Sequence, residues 1–338
     1  MRNSFLILLY CFLRKGGLLP LLLLVAAPAA AALQLVYPEP ASLVVSSRHL
    51  ILKLGDGEIT GVVVTINEVS SDSLPVGTPE YKRAFRDFLI LQPLWDEGVN
   101  LLAVDTFNGE KKVESLRTVI FYAPPAGGAT APQEFKRIPL HRPEVEALCR
   151  PCHNMKPTEK QVVDVPDKDN ACYTCHKRMG HQKFVHGPVS LYSCVSCHSL
   201  KATPKYSVTK REPQLCFDCH KEKQQEFKKF KLLHGPVAAG MCEICHDHHS
   251  SENPEQLHQP VNKLCLSCHE SVGKGIHVLA LNDGSSHPIA DKTDPSERGK
   301  GRNLSCISCH NPHGGMARYY YVTGNDIKME LCQDCHKK

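Results

Sequence analysis

Hydrophobic and polar residues follow different patterns on either side of about residue 125. Residues 36–124 contain short runs rich in Val, Ile, Leu and Thr, such as Ser42–Leu54 and Ile59–Asn67, which are separated by polar, Gly or Pro breaks. Runs of this length between turn residues predict β-strands. From about residue 135 onward both helical and strand periodicity are weak. We therefore expect an all-β region followed by a mostly irregular region with short α-helices.

The clearest predicted strand pair lies within residues 98–122. A strand pattern beginning at Gly98-Val-Asn runs into Asn108-Gly109, a dipeptide favoured in tight hairpin turns, and a second strand is predicted at Thr118–Tyr122. This stretch resembles the last hairpin of bacterial immunoglobulin-like domains. The resemblance implies an immunoglobulin-like β-sandwich over residues 36–124, acting as a spacer or a partner-docking module. Residues 125–134, rich in Ala, Pro and Gly, are predicted to be a linker.

Residues 1–32 are predicted to be an export signal peptide. Arg2, Arg14 and Lys15 precede the apolar run Leu18–Ala27, and the small residues Ala29–Ala32 offer a cleavage site. The rest of the sequence contains no apolar stretch of about 18 residues, the length needed to cross a bilayer as a helix. We expect an exported protein, periplasmic or at the cell surface, without a stable membrane span after signal removal.

Sixteen of the seventeen cysteines form eight copies of the motif Cys-x-x-Cys-His. Residues i and i+3 lie on one face of a helical turn, so both thiols can attach to one porphyrin, and the following histidine can reach its iron. Structural zinc would not require a histidine after every second cysteine. The motifs predict eight covalently attached c-type haems. From the first motif to the eighth, the cysteine pairs are Cys149 and Cys152, Cys172 and Cys175, Cys194 and Cys197, Cys216 and Cys219, Cys242 and Cys245, Cys265 and Cys268, Cys306 and Cys309, and Cys332 and Cys335, and the proximal histidines are His153, His176, His198, His220, His246, His269, His310 and His336.

The motifs are arranged in four tandem units of two motifs each. His141, His186 and His234 each stand eight residues before the first motif of a unit, and His287 stands further before the seventh motif. The units span about residues 139–176, 186–220, 234–269 and 287–336 of a haem region at 135–338. Paired motifs with interspersed histidines resemble the doubled Cys-x-x-Cys-His family of multihaem cytochromes, and residues 305–314 are especially similar to its pattern. So short a span per haem leaves little peptide core, so the porphyrins are expected to form the apolar interior.

The remaining histidines are candidates for the sixth iron ligand. A proline one or two residues after His141, His186, His234 and His287 fixes the local backbone, and we assign these four as distal ligands. We assign the other four positions to His181, His249, His277 and His313. His258 or His248 could replace one of them, and the sequence does not decide which histidine serves which haem. Iron with two histidine ligands has no free position, so it passes electrons and binds no substrate.

These observations predict an electron-transfer octahaem cytochrome with no catalytic residues. The formal charge of +5 does not indicate nucleic-acid binding, because sixteen haem propionates would reverse it. By resemblance, the partners are redox proteins on a quinol-oxidase side and on an outer-membrane or extracellular acceptor side, in respiration to an extracellular acceptor. Two alternatives stay open: an octahaem reductase of nitrite, hydroxylamine or tetrathionate with one open iron, and self-assembly into a conductive filament.

Overall fold

The computed structural model describes residues 32–45, 49–124, 127–163 and 165–337. The predicted signal peptide, residue 32 apart, lies outside the described residues. The first part of the described chain is a β-region that contains one helix, α1 (Pro79–Phe85). Its strands are β1 (Gln34–Tyr37), β2 (Ser42–Val44), β3 (Leu50–Lys53), β4 (Gly61–Ile66), β5 (Val69–Ser70), β6 (Leu74–Pro75), β7 (Phe88–Leu91), β8 (Gly98–Asn108), β9 (Lys111–Tyr122) and β10 (Lys136–Arg137).

The strands form two sheets that enclose one hydrophobic core. The smaller sheet has the order β1-β3-β7, and the larger has the order β10-β2-β9-β8-β4-β5, with β6 also paired to β4. Inward-facing residues alternate along β8, where Leu102 and Val104 are buried while Val99 and Leu101 are exposed. They pack with Leu50 and other residues of the smaller sheet in one cluster. The predicted β-region is confirmed, and its assignment to the immunoglobulin-like class stays a prediction.

The predicted hairpin is present, but its second strand is longer than expected. Asn108 pairs with Lys111, so Gly109 and Glu110 form the two-residue turn, and Gly109 adopts a φ of +57°. The second strand begins at Lys111 and not at Thr118. Its first half is exposed and polar, so the hydrophobic pattern that predicted residues 118–122 was absent there.

Asn100 fixes the loop that leads into β8. Its side chain is fully buried and uses all of its hydrogen-bonding capacity. Its Oδ1 accepts from the amide of Asp96 at 2.9 Å and from the side chain of Asn67 at 3.0 Å. Its Nδ2 donates to the carbonyls of Asp96 and Gly98 at 2.7 and 3.1 Å. A buried amide satisfied in this way holds the backbone of residues 96–98 in one conformation and joins it to the Asn67 side chain.

We expect Asn100→Ala to destabilise the β-region by about 2–4 kcal/mol, because the substitution leaves several buried polar groups without partners. Hydrogen exchange of β8 and β9 measures the loss directly, without interference from haem absorbance. Val99→Ala is the matched control, since Val99 is the neighbouring residue and is about half exposed. Equal exchange rates in the two variants would contradict the role assigned to Asn100.

The region from residue 139 onward consists of short helices and irregular chain. The helices are α2 (Pro143–Cys149), α3 (Tyr173–His176), α4 (Gly187–Ser190), α5 (Gln214–Phe217), α6 (Lys221–Lys229), α7 (Gly235–Ala238), α8 (Val261–Leu266), α9 (Glu270–Gly273), α10 (Cys306–Cys309) and α11 (Lys328–Cys335). The 3₁₀ turns are Glu159–Gln161, Asp167–Asp169, Lys177–Gly180, Cys194–Ser196, Cys242–Ile244, Pro254–Gln256 and Glu297–Gly299. Among the described residues of this region, the buried hydrophobic side chains are Val145 and Val162. The expectation of a helix-poor region without an ordinary peptide core is confirmed.

Two small antiparallel sheets join successive units. Strand β11 (Phe184–Val185) pairs with β13 (Ser250–Ser251), and β12 (Leu232–Leu233) pairs with β14 (Gly314–Gly315). In each case the strand just before the His-Gly-Pro histidine of one unit pairs with chain that follows the first motif of the next unit. Backbone hydrogen bonds therefore link the second unit to the third and the third unit to the fourth.

Candidate haem sites

Every motif closes one helical turn. In all eight, the amide of the histidine donates to the carbonyl of the first cysteine at 2.8–3.1 Å. This bond brings the two cysteines and the histidine close together on one turn of chain. All sixteen cysteines are free thiols that are exposed or partly exposed. This donor set fits covalent attachment of a haem at each motif.

Seven proximal histidines face a second imidazole at nearly constant distance. A metal about 2.0 Å from a nitrogen of each ring would place two opposed ring centres roughly 6 Å apart, so an iron fits between the rings of each pair. The pairs, with ring-centre distances of 5.9–6.3 Å, are His141 with His176, His186 with His220, His198 with His249, His234 with His269, His246 with His313, His277 with His310, and His287 with His336.

The pairing follows the repeat. The histidine before the first motif of each unit faces the proximal histidine of the second motif in the same unit, as His186 faces His220. His249 and His313, each three residues after a first motif, face the first-motif histidines of the preceding units, His198 and His246. Candidate ligands therefore cross between units, which the sequence could not determine.

Three candidate histidines face no proximal histidine. The ring of His181 lies against Tyr173 at 6.4 Å. The Nε2 of His258 is 2.8 Å from the carbonyl of Glu243, and the ring centre of His248 lies 4.2 Å from that of His249, with the two rings tilted. Among the residues that the structure describes, no imidazole stands opposite His153 of the first motif. The structure thus brings together seven of the eight predicted distal histidines with a proximal partner, and His181 is the exception.

Hydrogen bonds to Nδ1 orient several rings so that Nε2 remains for a metal. The Nδ1 atoms of His198, His246 and His310 lie 2.8, 2.7 and 2.7 Å from backbone carbonyl oxygens. Burial lowers the pKa of His176 to about 4 and also lowers the pKa of His234. Neutral imidazole is the form that binds metals.

His141 has a carboxylate partner instead of a carbonyl. Its Nδ1 lies 3.2 Å from Oε1 of Glu146, a side chain that is only 7% exposed. The two carboxylate oxygens of Glu146 also accept from Nζ of Lys205 at 2.7 and 2.9 Å. Lys205 compensates the charge of a carboxylate that would otherwise be costly to bury.

The thiols of consecutive motifs contact one another. Hydrogen bonds join Cys172 to Cys194, Cys216 to Cys242, and Cys265 to Cys306, which are the first cysteines of the second and third, fourth and fifth, and sixth and seventh motifs. The sulfurs of Cys216 and Cys242 and a carboxylate oxygen of Glu212 lie within 4.8 Å of one another.

The second cysteines connect the remaining neighbours. Burial raises the pKa of Cys197, Cys245 and Cys309. The second cysteine of the next motif raises each pKa further: Cys219 acts on Cys197, Cys268 on Cys245 and Cys335 on Cys309. Burial likewise raises the pKa of Cys149, with a further contribution from Cys175. Each motif is therefore close to the next along the chain, from the first to the eighth.

The β-region packs against the first unit. Val36, Tyr37 and Ile51 of the smaller sheet form a cluster with Val145 of α2, the helix that ends at Cys149. Sequence reasoning missed this contact, because the outward-facing residues of one sheet carry no signal of what covers them.

His49 belongs to the same contact. Its ring centre is 6.0 Å from that of His176, and it forms a hydrogen bond to the backbone of Cys175. Its Nε2 is also 3.2 Å from Nε2 of Gln92, whose Oε1 accepts from Arg178 at 2.9 Å. The Nε2 of His49 thus has a protein partner, whereas the hydrogen bond of His141 is at Nδ1 and leaves Nε2 for a metal.

None of the helices in the described part of the chain has the length and hydrophobicity needed to cross a membrane.

The family described as the doubled CXXCH motif matches residues 186–225, 234–274 and 298–338. These three matches cover the second and third units and most of the fourth, whereas the first unit is not matched.

The chain is also similar to two curated proteins. It is 26% identical over 200 residues to the multiheme cytochrome MtrA of Shewanella baltica, which covers 51% of this chain and 53% of that protein. It is 25% identical over 207 residues to the high-molecular-weight cytochrome c of Nitratidesulfovibrio vulgaris, which covers 56% of this chain and 31% of that protein. The chain thus spans about half the length of the first relative and about a third of the second. Together with the opposed imidazoles, these similarities support a multihaem c-type cytochrome that functions in electron transfer.

Proposed function

We propose that the chain is an octahaem electron carrier in which the haems follow one another in sequence order. The observation that carries this proposal is the closeness of the cysteines of consecutive motifs. First cysteines are hydrogen-bonded at three of the seven steps, second cysteines lie near each other at three more, and Cys149 lies near Cys175 at the first step. A thioether forms at each cysteine, so neighbouring porphyrins would approach at the edges where they are attached. Haems so close to one another form a continuous path from the first motif to the eighth.

The opposed imidazoles favour a carrier over a reductase. Seven irons with two histidine ligands would have no position for nitrite, hydroxylamine or tetrathionate. Methionine ligation raises the potential of a haem, so histidine at both positions favours low potentials.

We propose export to the periplasm or cell surface, with redox proteins as partners at the two ends of the path, and transfer toward an extracellular acceptor. Assembly into a conductive filament would require the end haems of neighbouring subunits to meet.

The first test is a haem count and a ligand survey of the purified, haem-loaded protein. The pyridine haemochrome assay and intact mass should both give eight haems per chain. Electron paramagnetic resonance and near-infrared magnetic circular dichroism should show at least seven low-spin irons with two histidine ligands. Fewer than eight haems, or high-spin iron at several sites, would contradict the octahaem carrier.

Glu146 is expected to lower the potential of the second haem. We propose that His141 is the distal ligand of this haem, and a carboxylate hydrogen bond at Nδ1 makes an imidazole a stronger donor, which favours ferric iron. We expect Glu146→Gln to raise the potential of one haem by roughly 50 mV, since 59 mV corresponds to a tenfold change for one electron. Spectroelectrochemical titration measures the shift.

The matched control is Glu144→Gln, on the same helix but with a side chain that is 64% exposed. It should leave all eight potentials nearly unchanged. A downward shift in the Glu146 variant, or an equal shift in the control, would contradict the proposed effect of the buried carboxylate.

A further inference from the structure

Three of the four turns that follow first motifs share one local structure, and the turn after His153 has the first of its hydrogen bonds, from the Lys156 amide to Asn154 Oδ1 at 3.1 Å. After His198, His246 and His310, the side chain of the next residue accepts the amide of the residue two positions further on. The three acceptors are Ser199 Oγ, Asp247 Oδ1 and Asn311 Oδ1, and the three donors are Lys201 at 3.2 Å, His249 at 2.9 Å and His313 at 3.0 Å.

The three turns also match in their backbone hydrogen bonds. The amides of Ser199, Asp247 and Asn311 donate to carbonyls eight or nine residues further on, those of Ser207, Gln256 and Tyr320, at 2.7–3.2 Å. Residue 201 therefore occupies the same structural position in the second unit as residues 249 and 313 do in the third and fourth.

This position supplies the ring that faces the preceding unit. His249 faces His198, and His313 faces His246. If the same relation holds in the second unit, residue 201 is the residue that faces the first-motif histidine of the first unit, His153. This is the proximal histidine that no imidazole faces in the described chain, and the residue at the corresponding position is a lysine.

The chain on both sides of Lys201 lies beside the first motif. Leu200, Lys205 and Tyr206 line a cavity of about 450 Å³ together with Arg150, which lies inside the first motif. The Lys205 ammonium reaches Glu146 at 2.7 Å, on the helix that leads to Cys149. Within the described ranges, the Lys201 ammonium has no hydrogen-bond or ion-pair partner.

The side chain of lysine suits the less constrained turn at this junction. In the later units, backbone bonds from His186 to His249 and from His234 to His313 hold the turn against the preceding unit. The corresponding bond from the His141 amide to the Lys201 carbonyl is absent among the described residues. A lysine amine on its four-carbon stem reaches further than an imidazole from a turn that is not held in this way.

We propose that the ε-amine of Lys201 is the sixth iron ligand of the first haem. This proposal rests on haem attachment at the first motif. The ammonium loses one proton to solvent and its nitrogen lone pair forms the bond to iron, with no change in oxidation state. The first haem then differs from the other seven in having one histidine and one amine ligand.

The test compares the full-length, haem-loaded wild type with Lys201→Ala, Lys201→His and His181→Ala. Near-infrared magnetic circular dichroism should show one histidine–amine iron and seven bis-histidine irons in the wild type. Lys201→Ala should make one haem of eight high-spin and able to bind carbon monoxide when reduced. Lys201→His should give eight bis-histidine irons that do not bind carbon monoxide.

The rival assignment has a distinct outcome. If His181→Ala, and not Lys201→Ala, produces the high-spin haem, His181 is the ligand and the proposal is wrong. Carbon monoxide binding at one haem of the wild type would also overturn it, because that iron would be open. The haem count separates this result from the octahaem proposal, since eight haems in every variant leaves that proposal intact whichever residue is the ligand.

Discussion

Replacing Cys216 and Cys219 with serine is expected to remove the fourth haem and abolish conduction between the two ends of the molecule. The fourth motif is close to its neighbours on both sides: Cys219 lies near Cys197 of the third motif, and Cys216 is hydrogen-bonded to Cys242 of the fifth. Since each motif is close to the next in sequence order, the proposed path runs through this haem. The conductance of single molecules held between two electrodes by terminal tags should fall to the background of a haem-free chain.

The matched control removes a terminal haem. The double variant Cys332→Ser with Cys335→Ser also lowers the haem count to seven, but it leaves a continuous path from the first motif to the seventh. Its conductance should decrease far less than that of the central variant. Equal losses in the two variants would mean that the haems do not conduct as one ordered path, and the sequence-order proposal would have to be abandoned.

The haem chemistry could be predicted from the sequence because it depends on local spacing. The cysteines and the proximal histidine of a motif lie within five residues, so one helical turn brings them together whatever the rest of the fold does. The histidines before each first motif could also be predicted as distal ligands, because their offset from the motif is repeated and a proline fixes the backbone beside them. Seven of the eight predicted distal histidines accordingly stand opposite a proximal histidine.

The partners of these residues could not be predicted, because they depend on contacts between distant segments. The ring of His249 faces His198, fifty-one residues earlier in the chain, and the pairing of β11 with β13 joins the two segments that carry these rings' units. The assignment of His181 followed its closeness in sequence to the second motif, whereas the structure places its ring against Tyr173. The exceptional position, residue 201, becomes visible only when the three turns are compared in space.

The β-region shows the same division. The strand pattern from Gly98 and the Asn108-Gly109 turn made the hairpin predictable, whereas the polar first half of β9 carried no strand signal and its length was underestimated. The sheet also takes in β10, beyond the predicted linker, because Lys136 and Arg137 pair with β2. A two-residue polar strand leaves no periodic signal in the sequence.

The haem region is expected to be unfolded when the chain is produced without haem, while the β-region folds normally. Among the described residues, eighteen of the twenty buried hydrophobic side chains lie at or before Phe121, so the β-region has a core of its own. Burial of each large apolar side chain contributes about 1.5–3 kcal/mol, and the haem region has only Val145 and Val162 in this class. Limited proteolysis of haem-free protein should therefore leave one resistant fragment that ends near residue 137.

The same experiment on haem-loaded protein should protect the whole exported chain, because eight porphyrins supply the missing apolar interior. Leu52→Ala provides a control for the source of the resistance. Leu52 is fully buried in the β-region, and its truncation should destabilise the resistant fragment by about 2–5 kcal/mol while leaving the haem count at eight. Protease-resistant fragments from residues 139–337 of the haem-free chain would show that this part of the peptide folds by itself. The porphyrins would then not be required as the apolar core of the haem region.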